Sequence, residues 1–247
     1  MQAGGIISYG QLEGLIKQNP NIRNGCVLDT NILISSITPS DQMADIVDEL
    51  LEELRLLKIP TYSNINIRAE FLEIQRKSLI PEALSEFYTQ ARSPLDFDEE
   101  LTAKMKSVYT SHKDSVDKNK VYKFTDDRIK EWRTLLSKRN FHGQDGWSYF
   151  CENIFSPQMT TIWDHVVETC QLNFIKTKEG NNHPLLTTKM SWRGVGRLMG
   201  NYGLSSADAM ILNLLLSSKI EMIATGDGDI RYMANTLKEQ GKFVIEI

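Results

Sequence analysis

Five carboxylates stand where a chain of alternating strands and helices would build a reactive crevice. Asp29 ends the short apolar run Cys26-Val-Leu-Asp29, and Asp227 and Asp229 follow the run Glu221 to Thr225 within Thr-Gly-Asp-Gly-Asp. Asp208 opens a strongly apolar helical stretch, and Glu70 sits within another. In open α/β sheets ligands bind outside the carboxyl ends of the strands. All five acids can share that crevice if the helices bearing Glu70 and Asp208 flank the first strand. Crowded carboxylates repel one another and raise one another's pKa unless a cation lies between them. Mg²⁺ or Mn²⁺ suits such hard oxygen donors. Either ion lowers the pKa of an attacking water, and a second one stabilises the leaving oxygen of an in-line displacement. Each acid also has a simpler reading. Asp29, Asp208 beside Ser205, and Asp227 can serve as caps, and Glu70 as a solvated helix residue. Two separate strand-end motifs make joint coincidence the weaker explanation.

Periodicity indicates the elements that must position these acids. Cys26 to Asp29 reads as a buried strand whose start is punctuated by Gly25. Met43, Ile46, Val47, Leu50, Leu51, Leu54 and Leu57 recur at helical spacing, with acids over much of the opposite face, and Pro60 ends that pattern. A strand near Ile59 to Tyr62 and a helix over 65–77 follow. Farther on come a helix from Ser205 to Ser218, a strand from Glu221 to Thr225, a tight turn, a helix from Ile230 to Gln240 and a strand from Phe243 to Ile247. This alternation predicts an α/β fold with a parallel sheet and helices on its faces. Ser8 to Asn19 reads as a short extra helix, with Ser8 and Gln11 as a capping box.

The middle of the chain shows little strand alternation, but helical patterns recur around 98–112, 126–138 and 158–170. The expected organisation is an N-terminal helical extension over 1–24, an α/β domain built from 25–80 and 190–247, and a helical insertion over 81–189. Gly194 to Gly200 miss the dinucleotide-binding fingerprint by one position and follow no strand. They are expected to relax a connection ahead of the Ser205 helix.

Composition sets outer limits. The 247 residues are 41% hydrophobic and 24% charged, enough for a sizeable core and free of low-complexity bias. Net charge is −4, which argues against a broad basic surface for nucleic acid but not against a local grip beside an acidic site. Lys113 to Arg139 departs from that balance, with nine cations, five acids and interleaved Tyr122, Phe124 and Trp132. The main reading is a solvated helical surface with its aromatics turned inward; the alternative is a contact surface for a nucleic-acid strand. Cys26, Cys151 and Cys170 are odd in number and far apart, which suits a reduced cytoplasmic protein. The apolar run Met210 to Leu216 is too short to cross a bilayer, and the first 25 residues lack signal-peptide character. The expected location is therefore cytoplasmic, with no membrane contact.

Four segments together resemble the acidic motifs of the PIN-domain ribonucleases (VapC-like) in the same order. They are VLDTNILI (Val27 to Ile34), RAEFLEI (Arg68 to Ile74), LSSADAMILNLLL (Leu204 to Leu216) and IATGDGDI (Ile223 to Ile230). The resemblance covers roughly 24–80 and 190–247. It implies a three-layer α/β/α sandwich around a parallel sheet and cleavage of RNA phosphodiester bonds with Mg²⁺ or Mn²⁺. It also implies Asp29, Glu70, Asp208 and Asp227 as catalytic acids, Asp229 as a fifth, and Asp29, Asp208 and Asp227 as metal ligands. Asn31 and Thr225 match the positions that orient the site, and Glu73 competes with Glu70 from one turn away. Many small members are toxins, so the implied partners are RNA and an antitoxin protein or a second copy. The 138 positions between Glu70 and Asp208 depart from those small toxins. Two alternatives remain: a PIN-like binding module whose acids serve only as caps, and a haloacid-dehalogenase-like phosphatase, whose second acid is replaced here by Asn31.

Overall fold

The computed structural model describes residues 5–90, 97–176 and 183–247. Residues 91–96 and 177–182, which fall in the expected insertion, lie outside it, as do 1–4. Two compact units emerge, one of residues 1–71 with 165–247 and the other of 72–164. In chain order the first unit begins with β1 (Ile6–Ile7), α1 (Leu12–Gln18), β2 (Cys26–Leu28), α2 (Thr30–Ser35), α3 (Ala44–Leu56) and β3 (Thr61–Asn64). The chain leaves this unit within α4 (Ile65–Gln90). The second unit holds α5 (Glu99–Val116), α6 (Asp126–Leu136), β4 (Asn140–Phe141), β5 (Gln144–Asp145) and α7 (Gly146–Phe150). The chain returns through α8 (Ser156–Thr169) to β6 (Leu172–Ile175), α9 (Trp192–Tyr202) and α10 (Ser206–Leu216). It finishes with β7 (Met222–Thr225), α11 (Gly228–Tyr232), α12 (Ala234–Glu239) and β8 (Phe243–Glu246).

The first unit is α/β, as expected, around a six-stranded parallel sheet of order β1-β8-β7-β2-β3-β6. Its two central strands carry the most continuous apolar sequence. Every residue of β2 and of β7 is buried, as a strand covered on both faces requires. Val27 sits between Tyr62 of β3 and Ile223 of β7, which fixes the register at the middle of the sheet. From β2 the chain moves to one side, through β3 to β6, and later returns on the other side as β7 and β8. The β2/β7 boundary is therefore the topological switch point.

Several expectations need correction. The segment over 1–24 is not only helical, because Ile6 and Ile7 pair with Val244 and Ile245 and extend the sheet. Gln11 does cap that region as expected, its side-chain oxygen accepting from the Ser8 N–H at 3.1 Å. Within 81–189 the unexpected strand β6 joins β3 through four paired residues. It lies at the sheet edge with only Ile175 buried, so neither alternation nor an apolar run announces it. The helix expected over 65–77 continues to Gln90 through Pro81. A mid-helix proline costs on the order of 3 kcal/mol, here offset by burial of Ile80, Ala83, Leu84 and Phe87 in the core of the second unit.

That second core is aromatic. Phe87 meets Phe97, Phe141 and Phe150 with ring centroids 5.4, 5.8 and 5.8 Å apart. Phe124 and Trp132 belong to the same buried cluster. The Arg128 guanidinium covers the Phe124 ring at 4.6 Å. The aromatics of the basic segment are thus used for packing. Among the described residues no helix is long and apolar enough to cross a membrane.

Candidate active site

The switch point is built by two strand ends that turn at once into helices. Gly25 sets up the first. Its φ of 134° is open only to glycine, and a Cβ there would stand 2.3 Å from the Tyr62 ring and 2.7 Å from the Pro60 carbonyl oxygen. Asp29 ends β2 and caps α2, its Oδ1 accepting from the Thr30 N–H at 2.7 Å. At the end of β7, Asp227 caps α11, its Oδ1 accepting from the N–H groups of Asp229 at 2.6 Å and Ile230 at 3.3 Å. These caps are real, and they fix where each strand stops.

A network of hydrogen bonds ties the two ends together. The Thr225 hydroxyl donates to Asp29 Oδ2 at 2.6 Å and accepts from the Asp227 N–H at 2.9 Å. Asn31 Nδ2 donates to the same Asp29 oxygen at 2.9 Å, while Asn31 Oδ1 accepts from the Gly226 N–H at 3.1 Å. Asn31 is thus a brace between the strand ends and supplies no acid, which removes the general acid a haloacid-dehalogenase-like reading needs. Thr30 adds a bond the sequence did not suggest: its hydroxyl donates to Glu70 Oε2 at 2.7 Å. Its place directly after the strand-end Asp was the available signal. Glu73, the competing acid, is taken up by Arg76 at 2.7 Å and Lys77 at 3.4 Å within the second unit.

Asp208 lies in the first turn of α10. Its N–H donates to Ser205 Oγ at 3.2 Å, and the Ser205 hydroxyl donates to Asp208 Oδ2 at 2.6 Å. No hydrogen bond joins it to Asp29; charge does. Burial pushes the Asp29 carboxyl up to about 6, opposed by the Thr225 and Thr30 hydrogen bonds and reinforced by the charges of Glu70 and Asp208. Burial likewise raises Asp208, opposed by Ser205 and reinforced by Asp227 and Asp229. Asp29 is only 4% exposed, whereas Asp229 is exposed at the turn.

These donors suit a hard divalent cation in kind. They are oxygens only, they repel one another, and neither Asp29 nor Asp208 is neutralised by a lysine or arginine among the described residues. In spacing, however, no three Asp, Glu, His or Cys side chains among the described residues stand as a ready ligand group. Each of the expected trio Asp29, Asp208 and Asp227 is engaged by hydrogen bonds of its own, to Thr225, Ser205 and the α11 backbone. Thiol chemistry finds no support. Burial pushes Cys26 up to about 12 and Cys151 and Cys170 up to about 11. Comparison of the chain with family models, with curated proteins and with solved structures gives no match.

Proposed function

We propose that this protein is a divalent-metal-dependent ribonuclease of the PIN-domain type, its parallel sheet forming the middle of a three-layer α/β/α sandwich. The observation that carries the reading is the buried Asp29 carboxylate. It is braced by Thr225 and Asn31 at the switch point and lies within the electrostatic reach of Glu70 and Asp208. Asp29, Asp208 and Asp227 are the carboxylates that would hold the cation. When bound, Mg²⁺ or Mn²⁺ supplies a water of lowered pKa and stabilises charge developing at the phosphate. The chain's own contribution is positional. Thr225 and Asn31 fix the rotamer of Asp29, Thr30 fixes Glu70, and the α10 cap fixes the backbone of Asp208. With a pKa of about 6, Asp29 is mostly ionised at neutral pH and can receive a cation without first losing a proton.

The test is cleavage of mixed single-stranded and structured RNA in chelator, Mg²⁺ and Mn²⁺, beside Asp29→Asn. The expected result is metal-dependent cleavage that falls by orders of magnitude in the variant. Cleavage that survives in Asp29→Asn, or that ignores the metal, would remove the proposal. The capping of α11 by Asp227, and the engagement of the Asp208 carboxylate by the Ser205 cap of its own helix, favour a second reading, a non-catalytic PIN-like binding module in which the acids serve the helix ends alone. That reading predicts no rise in melting temperature on addition of Mn²⁺.

A further inference from the structure

Gly194 to Gly200 do not relax a connection; they lie inside helix α9, which packs on α10. Gly194 leaves room for the buried Asn213 at that contact, since a Cβ there would come within 2.6 Å of Asn213 Oδ1. Gly196 and Gly200 have no such duty, because nothing lies within 4 Å of a Cβ built on either. Each nevertheless costs about 1 kcal/mol against alanine in a helix. At about 100° per residue, Arg193, Gly196, Arg197 and Gly200 share one arc of the helix, opposite the buried Val195, and Trp192 and Met199 lie between that arc and Val195. All six are exposed, Trp192 at 53%.

The charge of this face is one-sided. From His183 to Ala207 the chain has Lys189, Arg193 and Arg197 and not one Asp or Glu, in a protein of net charge −4. Neither arginine forms an ion pair among the described residues, whereas Arg55, Arg76, Arg139 and Arg231 all do. Arg193 and Arg197 are one turn apart, with an axial rise of about 6 Å between them. Gly203, at φ 70°, stops α9, and two residues later Ser205 caps the helix that carries Asp208. The C-terminal end of α9 is therefore joined by a short turn to the helix that carries Asp208. Four aromatic side chains are exposed among the described residues. Trp192 and Tyr202 lie on α9, and Tyr232, at 78% exposure, lies on the helix capped by Asp227. Only Phe174, on β6, lies elsewhere.

We propose that the outward face of α9 is the docking surface for single-stranded polynucleotide, with Arg193 and Arg197 holding backbone phosphates, Gly196 and Gly200 letting the strand lie close, and Trp192 stacking on an unpaired base. The chemistry selects this occupant. Two unpaired arginines at one-turn spacing suit a run of phosphates, and an exposed indole face is usable only by bases that are not already stacked in a duplex. The inference rests on the nuclease reading for what happens to the strand at the acids, but the binding itself does not depend on it.

The experiment measures binding of a fluorescent single-stranded RNA of about 16 nucleotides in chelator, where nothing is cleaved, at several salt concentrations. Relative to wild type, Arg193→Ala with Arg197→Ala should weaken binding at least tenfold and make the log–log salt slope shallower by about 1.4. Trp192→Ala should abolish quenching of the protein's fluorescence by the single strand and weaken its binding about tenfold, leaving duplex RNA unaffected. The melting temperature of the double arginine variant should stay at the wild-type value, since both side chains are exposed, and Trp192→Ala, which also trims contacts with Val195 and Asn213, should remain folded in the same melt. A wild type that does not bind, or variants with unchanged affinity and slope, would overturn the proposal, even if metal-dependent cleavage is intact. Loss of binding in the variants of a protein that cleaves nothing would uphold the surface while removing the nuclease reading. If Trp192→Ala dissolves a self-associated form and leaves RNA affinity untouched, the face belongs to a protein contact and the proposal falls.

Discussion

Replacing Asp29 with Asn tests whether the buried carboxylate is a strained, site-forming acid or an ordinary cap. The interval between its ordinary value of 3.8 and about 6 corresponds to about 3 kcal/mol of folding free energy. Because the folded pKa lies above the unfolded one, that stability is fully present below about pH 4. It drains away as pH rises through about 6, so at neutral pH the ionised carboxylate opposes folding. Asn removes the charge, and its oxygen can still accept from the Thr30 N–H. Its NH₂ group, however, meets Asn31 Nδ2 and the Thr225 hydroxyl where Oδ2 had accepted from both. Each lost hydrogen bond of that kind costs about 1 kcal/mol, so the two together cost about 2 kcal/mol. The net expectation in chelator at about pH 7.5 is a variant more stable by about 1 kcal/mol, or about 2–4 °C in melting temperature. The advantage should shrink as pH falls through about 6 and reverse before about 4. Thermal melts of both proteins across that range provide the measurement. A variant less stable than wild type at neutral pH, or a difference that ignores pH, would refute the account of Asp29 as a charge held against burial.

Asp208→Asn should hold or raise stability in chelator, by relieving repulsion from Asp227 and Asp229, and should reduce the melting increment given by Mn²⁺. Ala in place of Gly194 should cost on the order of 1–3 kcal/mol through its clash with Asn213, whereas Ala in place of Gly196 should gain up to about 1 kcal/mol. Paired denaturant titrations will show whether the two signs differ. In the second unit Arg139 donates to Asp98 at 2.7 Å and to the Leu135 carbonyl at 2.6 Å. Arg139→Ala should cost about 1–2 kcal/mol, measured in the same way.

What could be read in the sequence was what local chemistry dictates. Cys26 to Leu28 and Met222 to Thr225 announce themselves as central strands because burial on both faces demands unbroken apolar sequence, and the acids follow where such strands stop. Thr225 and Asn31 could be placed beside Asp29, but not their donor and acceptor roles, which arise from a contact between residues 196 positions apart. β1 and β6 escaped notice because edge strands need little burial, and two or four residues carry no period. The course of α4 through Pro81 was hidden because tertiary packing of Phe87 and its neighbours outweighs a local breaker. Helix α9 was missed because three glycines lower helix propensity, and only the contact of Gly194 with Asn213 gives one of them a packing reason.

The central pairing of β2 with β7 also sets a clock. Asp29 and Thr225 are 196 residues apart, and a chain grows at about 5–20 residues per second. Roughly 10–40 s therefore pass between synthesis of the first strand-end acid and arrival of its hydroxyl partner. Throughout that interval β2 presents the edge that β7 will pair, and for most of it Asp208 and Asp227 do not yet exist. A nascent chain of this topology carries the buried Asp29 carboxylate through that whole interval without its hydroxyl partner. The bond between Asp29 and Thr225 can therefore form only after everything between β2 and β7 has been made.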